Sequence, residues 1–343
     1  MATSKKRATL GDIARRLGVS KAAVSFALNG KPGVGEELRD RVLRVASELN
    51  YRPNSAALAL GRSRVDVIGL VLNRPARTLG TEAFFPDLMA GIQAGLAETH
   101  TGLQTLVVSS LDEEIEAYAS WHSAHRVDGV ILIDPRRDDR RIALLTDLEL
   151  PTVQIGSHPS TDPDVPSVWI DDDAVAATLF GELFSLGHRR VAHVMGRLDF
   201  EHTELRRKAL RACATAAGAF DPVSVETDYS AEQAAEVTRD LLTRHDRPTA
   251  IVFDNDVMAL AGLRVAQELG VAVPAELSIA SFDDSVMMRL VRPSITALTR
   301  DTYALGELAA RTLMTRIDAE DIVPSVPAAQ PTLSRRESTA TAP

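Results

Sequence analysis

The stretch Leu10-Gly-Asp-Ile-Ala-Arg-Arg-Leu-Gly-Val-Ser-Lys-Ala-Ala-Val-Ser-Phe-Ala-Leu-Asn29 decides how the rest of the chain is read. At helical spacing, Ile13, Leu17, Val24 and Leu28 fall on one inward face. Ala14 is small where two helices must cross closely. Gly18 stands where the chain turns sharply, a position at which a Cβ is costly. Ser20 offers a side-chain oxygen to cap a second short helix. Two helices joined by a tight turn containing Gly form a helix-turn-helix, whose second helix enters a DNA major groove. That helix would carry Lys21, Ala22, Ser25, Phe26 and Asn29 towards DNA. The alternative is a plain helical hairpin inside a core, and the flanking residues decide between the two.

Downstream, Asn29-Gly30-Lys31-Pro32-Gly33 reads as a loop from its turn residues. A third helix is predicted from about Glu36 to Asn50, with Leu38, Val42, Val45, Ala46 and Leu49 forming one apolar stripe. Together the three helices make a head of about fifty residues, marginally stable alone. Pro53 forces Arg52 out of the helical region and ends the third helix. Asn54 can cap a short Ala-rich segment, residues 55–60, which Gly61 closes. A helix of six residues does not persist alone in water, so this segment needs a partner surface.

The net charge of −9 argues against a polyanion partner until it is divided. Residues 1–64 hold 13 Lys and Arg against five Asp and Glu, a net of +8, which leaves −17 for the remainder. A basic head on an acidic body suits a head that binds a polyanion and a body repelled by it. Residues 1–8 read as a basic arm. No apolar signal core follows it, and no apolar run is long enough to span a membrane. The lone Cys213 excludes an intrachain disulfide, suits a reducing cytoplasm and reads as a buried small apolar residue. An enzyme is disfavoured: no Gly-x-Gly-x-x-Gly follows a strand and no Gly-Lys-Ser/Thr phosphate loop appears. The eight histidines lack metal-ligand spacing, so no cofactor or metal is expected.

From Asp66 the pattern alternates between strand and helix. Strands are predicted at 67–72, 104–109, 129–133, 152–155, 191–195, 250–253 and 277–282. Most are continuous apolar runs, as in strands buried on both faces of a parallel sheet. Helices are predicted to begin near Phe85, Glu113, Asp139, Asp172, Glu204, Ala231 and Asp256, with a last one from Tyr303 to Ile317. The run is too long for one ordinary sheet, so two lobes with a cleft are expected. The tail from Pro324 reads as partly extended or loose.

Head, joint and body together resemble the lac repressor/galactose repressor family of bacterial transcription regulators over nearly the whole chain. The motif Asp12-Ile13-Ala14, Gly18-Val19-Ser20, Val24-Ser25 and Leu28-Asn29-Gly30, followed by Leu49-Asn50-Tyr51-Arg52-Pro53-Asn54, carries that resemblance. Weaker echoes are Val127-Asp128-Gly129, Leu186-Gly187-His188, Asp254-Asn255-Asp256, Phe282-Asp283-Asp284 and Arg336-Glu337-Ser338-Thr339. The resemblance implies a small all-α helix-turn-helix head plus an α/β two-lobed periplasmic-binding-protein-like body. The divisions expected are a DNA-binding domain at 1–53, a hinge helix and linker at 54–64, and an effector-binding and dimerisation domain at 65–343. Within that domain one lobe would hold about 65–166 and 297–323, the other about 167–296 and 324–343.

The same resemblance implies a homodimer on a near-palindromic double-stranded DNA operator. Ser20, Lys21, Ala22, Ser25, Phe26, Asn29, Tyr51, Asn54, Ala57 and Leu60 would face the DNA. Leu60 stands where the family drives a leucine into a minor-groove step, and an apolar wedge does unstack and kink DNA. Ala57 matches a small residue that lets the hinge approach the groove. The family usually has Arg where this chain has Phe26; Phe26 offers only apolar contact, for instance to a thymine methyl. In the cleft, Phe85, Arg206, Tyr229, Asn255 and Asp283 match effector-binding positions for a small polar metabolite, a sugar or similar. The usual Arg-x-x-Gly-aromatic run has drifted here to Arg206-Arg207-Lys208-Ala209-Leu210. The tail lacks apolar heptads, which favours a dimer over a tail-assembled tetramer. The rival reading is a sugar-binding, transport-type receptor without a DNA role.

Overall fold

The computed structural model describes residues 8–28, 32–49, 51, 64–76, 78–319 and 322–343. The chain divides into two compact units, Met1–Val65 and Asp66–Pro343. Asn29, Asn54, Ala57 and Leu60, with the basic arm and the segment read as a hinge, lie outside the described residues.

The first unit holds three helices, α1 (Leu10–Leu17), α2 (Lys21–Leu28) and α3 (Glu36–Glu48). The Asp12 carboxylate starts α1 by accepting the Thr9 N–H at 2.8 Å and the Thr9 hydroxyl at 2.7 Å. Gly18 ends α1 at φ 69°, a left-handed conformation that costs glycine nothing. The Ser20 hydroxyl oxygen then accepts the Ala23 N–H at 3.1 Å and caps α2. Ile13, Ala14, Val24, Ala27, Val42 and Ala46 are the buried core, and Leu17, Leu28, Leu38, Val45 and Leu49 lean on it. So small a core supplies no more than about 3–5 kcal/mol. The third helix stops at Glu48, short of the predicted Asn50, and the Tyr51 N–H returns to the Ala46 carbonyl at 2.8 Å.

The second unit holds two six-stranded sheets. The first comprises β1 (Val67–Asn73), β2 (Gly102–Val108), β3 (Gly129–Leu132), β4 (Thr152–Gly156), β5 (Ser167–Trp169) and, from near the C-terminus, β11 (Val326–Pro327). All its pairings are parallel. The second comprises β6 (Val191–Met195), β7 (Val223–Glu226), β8 (Ala250–Phe253), β9 (Ser278–Ser281), β10 (Thr296–Thr299) and β12 (Thr332–Ser334). Only β12 runs antiparallel to its neighbour, with Leu298 opposite Leu333. Helices α4 (Phe84–Leu96), α5 (Leu111–Ser123), α6 (Arg140–Asp147) and α12 (Thr302–Asp318) clothe the first sheet. Helices α7 (Asp172–Ser185), α8 (Glu201–Ala216), α9 (Ala231–Thr243), α10 (Asp256–Glu268) and the short α11 (Val286–Leu290) clothe the second.

Three expectations are corrected here. The lobe boundaries at 166/167, 296/297 and 323/324 each fall a few residues early, because β5 and β11 pair within the first sheet and β10 within the second. A strand completes its ladder before the chain crosses. The tail is not loose: Ser338 is fully buried, donating to the Ile279 carbonyl at 2.6 Å and accepting the Thr296 N–H at 2.8 Å. Cys213 is a free thiol but only half-buried. One apolar cluster runs from Ile68, Leu70 and Phe85 of the first lobe through Phe180 and Leu183 to Val252 and Phe282 of the second. Gly91 and Gly306 let α4 and α12 touch backbone to backbone; a Cβ on Gly91 would stand 1.9 Å from the Tyr303 carbonyl oxygen.

Candidate functional site

In the head, the residues predicted to face DNA sit on one exposed side of α2. Ser20, Lys21, Ala22 and Phe26 are exposed and Ser25 is half-buried. Phe26 is 42% exposed, unusual for a large apolar side chain on a helix whose other face builds the core. Tyr51 differs: its side chain leans on the head's core, and burial raises its phenol pKa.

In the body, a cavity lies between the lobes at the carboxyl ends of the parallel strands of both sheets, the place where open α/β sheets bind ligands. Phe85, Arg206, Tyr229, Asn255 and Asp283 all line it, so the structure brings the five predicted residues together. Arg206, on α8, reaches under β8 and gives Nη1 to Asp254 Oδ1 at 3.0 Å, with Asp172 Oδ1 3.5 Å from its Nη2. Its guanidinium lies 4.2 Å from the centre of the Phe282 ring. Asp254 also accepts the Gly196 N–H at 2.7 Å and pairs with His193 Nε2 at 2.9 Å. Burial alone would raise the Asp254 carboxyl; Arg206 and then His193 outweigh it and hold it well below the usual carboxylate range. Asp172, fixed by the Ser157 hydroxyl at 2.8 Å, is likewise held low against burial by Arg206 and then Arg300.

Asn255 lines the cavity, yet both its polar ends have protein partners. Its carbonyl oxygen accepts the Met258 N–H at 2.8 Å and caps α10, and its amide donates to the Tyr229 carbonyl at 3.3 Å. Asp283 faces Arg300 at 3.9 Å, and burial raises its carboxyl despite that charge. The Tyr229 hydroxyl meets His202 Nε2 at 3.0 Å, and its ring is braced on Gly196, where a Cβ would stand 1.8 Å from Tyr229 Cζ. The face of Tyr229, expected to stack on a ligand, carries the Arg74 guanidinium at 4.4 Å.

Sequence reasoning passed over Arg74, Glu82, Asp134, Asp172, His202, Asp254 and Arg300, all of which line the cavity. Arg74 Nη2 pairs with Asp134 at 3.0 Å. Asp134 is presented by a loop that Arg141 organises from within: its guanidinium bonds Glu114 at 2.6 Å, Asp139 at 2.6 Å and the Ile133 and Asp134 carbonyls. Burial, then the Arg206 charge, brings His202 down to about 4, so it is neutral at neutral pH. One signal could have found Asp254 and Arg300. Each follows directly on the last residue of a strand, β8 and β10, where a parallel sheet delivers its side chains to a ligand.

Residues 9–54 match the family described as bacterial regulatory proteins, lacI family, and residues 180–339 match the periplasmic binding protein-like domain. The regulator CelR of Thermobifida fusca is 30% identical over 325 residues, covering 93% of this chain and 95% of its own. This chain belongs to the LacI family. Its members regulate transcription by binding DNA through the head, and they are not enzymes. Two solved structures are similar to this chain over nearly its full length. The lac repressor dimer bound to operator and the anti-inducer ONPF is 25% identical at TM-score 0.84, covering 98% of this chain and 100% of that one. A CelR–cellobiose complex is 28% identical at TM-score 0.71, covering 97% and 100%. The head that matches the family removes the reading of a receptor without a DNA role. Among the described residues, no helix is long and apolar enough to cross a membrane.

Proposed function

We propose that this LacI-family chain is a repressor that binds a near-palindromic operator as a homodimer in the cytoplasm, at the nucleoid, and that a sugar in the inter-lobe cavity controls its grip. The observation that carries the reading is the cavity itself. Buried polar atoms, among them Arg206 Nε, Asp172 Oδ1 and Arg300 Nη2, have no hydrogen-bond partner among the described residues. Their residues line the same cavity as Phe85 and Tyr229. Native proteins pair buried polar groups, so such a cluster suits a ligand that supplies the missing partners. The operator-bound lac repressor dimer and the cellobiose-bound CelR support the assignment of DNA and sugar to the two sites.

On DNA, Lys21, Ala22 and Phe26 read the major groove, with Phe26 against a thymine methyl. Ser20, Ser25, Asn29, Tyr51 and Asn54 position the head, and Ala57 and Leu60 serve the minor groove. Ligand changes the angle between lobes and thereby the state that binds operator. Fluorescence anisotropy on duplex from the gene's own upstream region tests this, with and without cellobiose, lactose, maltose, D-galactose and D-ribose. Binding at low salt that one sugar shifts at least tenfold is the expected result. A monomer with no affinity for any duplex, with or without sugar, overturns it.

A further inference from the structure

Between β1 and α4, Arg74 and Glu82 line the cavity, and neither sequence nor family comparison assigns them a role. Arg74 has a side chain only 5% exposed, and its guanidinium lies 4.5 Å and 4.4 Å from the ring centres of Phe200 and Tyr229 on the opposite lobe. One of its terminal nitrogens is engaged by Asp134. Its remaining nitrogens, Nη1 and Nε, are buried and lack a hydrogen-bond partner among the described residues. Glu82 is buried as well, and its Oε1 also lacks a partner. Both side chains line the cavity. Charged donors and a carboxyl oxygen buried without partners are costly, and a ligand that satisfied both would recover that cost.

The charge balance of the cavity narrows the ligand. Each guanidinium in it already faces a carboxylate: Arg74 with Asp134 at 3.0 Å, Arg206 with Asp254 at 3.0 Å, and Arg300 with Asp283 at 3.9 Å. A phosphate or carboxylate would find no uncommitted cation and would be pressed against Asp134, Asp172 and Asp283. A hydroxyl is donor and acceptor in one atom, so it can answer Arg74 and Glu82 together without adding charge.

We propose that Arg74 and Glu82 form a donor–acceptor subsite on the first lobe that selects an uncharged, hydroxyl-rich ligand against sugar acids and sugar phosphates. The proposal rests on reading the cavity as the effector site. Glu82 acts in its protonated form, because burial pushes its carboxyl up to about 8 against the pull of Arg74. Glutamine therefore reproduces it and alanine does not.

Isothermal titration of the full chain tests this with cellobiose, lactose, maltose and D-galactose, set against D-gluconate, D-galacturonate and glucose 6-phosphate. At least one neutral sugar binds wild type, and none of the anions does. Arg74→Met and Glu82→Ala weaken that sugar by about tenfold or more, while Glu82→Gln holds it within about threefold. Should Arg74→Met fail to fold, Arg74→Lys, with fewer donors and no planar face for Tyr229, carries the same expectation. An anion that outbinds the neutral sugars overturns the proposal. So does a sugar bound equally by wild type, the Arg74 variants and Glu82→Ala; if Arg206→Met abolishes that binding, the cavity stands as the effector site. No binding of any sugar to wild type overturns the subsite and the effector reading together.

Discussion

Asp254→Asn removes one charge from the centre of the second lobe and leaves the shape nearly unchanged. The wild-type carboxylate is 1% exposed and takes three donors: the Gly196 N–H, His193 Nε2 and Arg206 Nη1. An asparagine has one acceptor oxygen, and its NH2 group must face one of those donors. Arg206 keeps only Asp172, at 3.5 Å. Breaking a buried pair by removing one partner costs about 3–5 kcal/mol. The pH dependence adds a second signature. Burial opposes the Asp254 charge, but Arg206 and His193 prevail, so the folded carboxyl lies below its unfolded value. Its stabilisation is therefore complete above the unfolded value near 3.8 and is lost as pH falls through the folded one. Urea unfolding at pH 7 should show the full gap between wild type and variant. At pH 3 the gap should narrow by about 1 kcal/mol, since only wild type pays for protonation in acid. A gap under about 1 kcal/mol at pH 7, or one that widens in acid, would refute the role assigned to this carboxylate.

Glu82→Gln should show the opposite slope. The folded carboxyl is raised to about 8, so wild type loses stability as pH rises from its unfolded value through that point. The variant should gain about 3–5 kcal/mol on wild type between pH 5 and pH 9 in urea titrations, and parallel curves would contradict the burial of this group. Arg141→Met takes the guanidinium from Asp139 and leaves Glu114 only Arg136, at 3.5 Å, and should cost about 3–5 kcal/mol, read as a lower urea midpoint. Phe26→Ala should relax preference at one base position per half-site by about 1–3 kcal/mol in a binding-site selection, with little change elsewhere. An unchanged preference at every position would make Phe26 a structural residue only.

The head was legible because its constraints are local. Gly18 had to be left-handed, Ser20 had to cap, and Ile13, Val24 and Val42 repeat at helical spacing; each acts within a turn or two of itself. The long apolar strands were legible for the same reason. The strands that went unread were β5, β7, β10, β11 and β12. All are short, and each is a sheet edge or the strand beside one, where polar residues such as Ser224 and Thr332 are tolerated and apolar periodicity is weak. The cleft fared unevenly. Phe85, Arg206, Tyr229, Asn255 and Asp283 were found through motif resemblance, and all five line the cavity; Asp254, beside Asn255, was not singled out. Asp254 meets Arg206, while Asn255 caps α10 and lines the same cavity. The sequence shows both as polar residues after an apolar run. What each of them bonds to depends on the turn of backbone between β8 and α10 and on partners from other segments. Arg74 and Glu82 were beyond reach altogether. They sit in a stretch punctuated by Pro75 and Gly80, where local patterning predicts exposed charge. Arg74 is covered by Phe200 and Tyr229, more than a hundred residues away on the other lobe. A ligand cleft between lobes is assembled only by tertiary structure, so its specificity is the part of this chain least written into any one segment. It is also the part where unpaired buried atoms, visible only after folding, carry the argument.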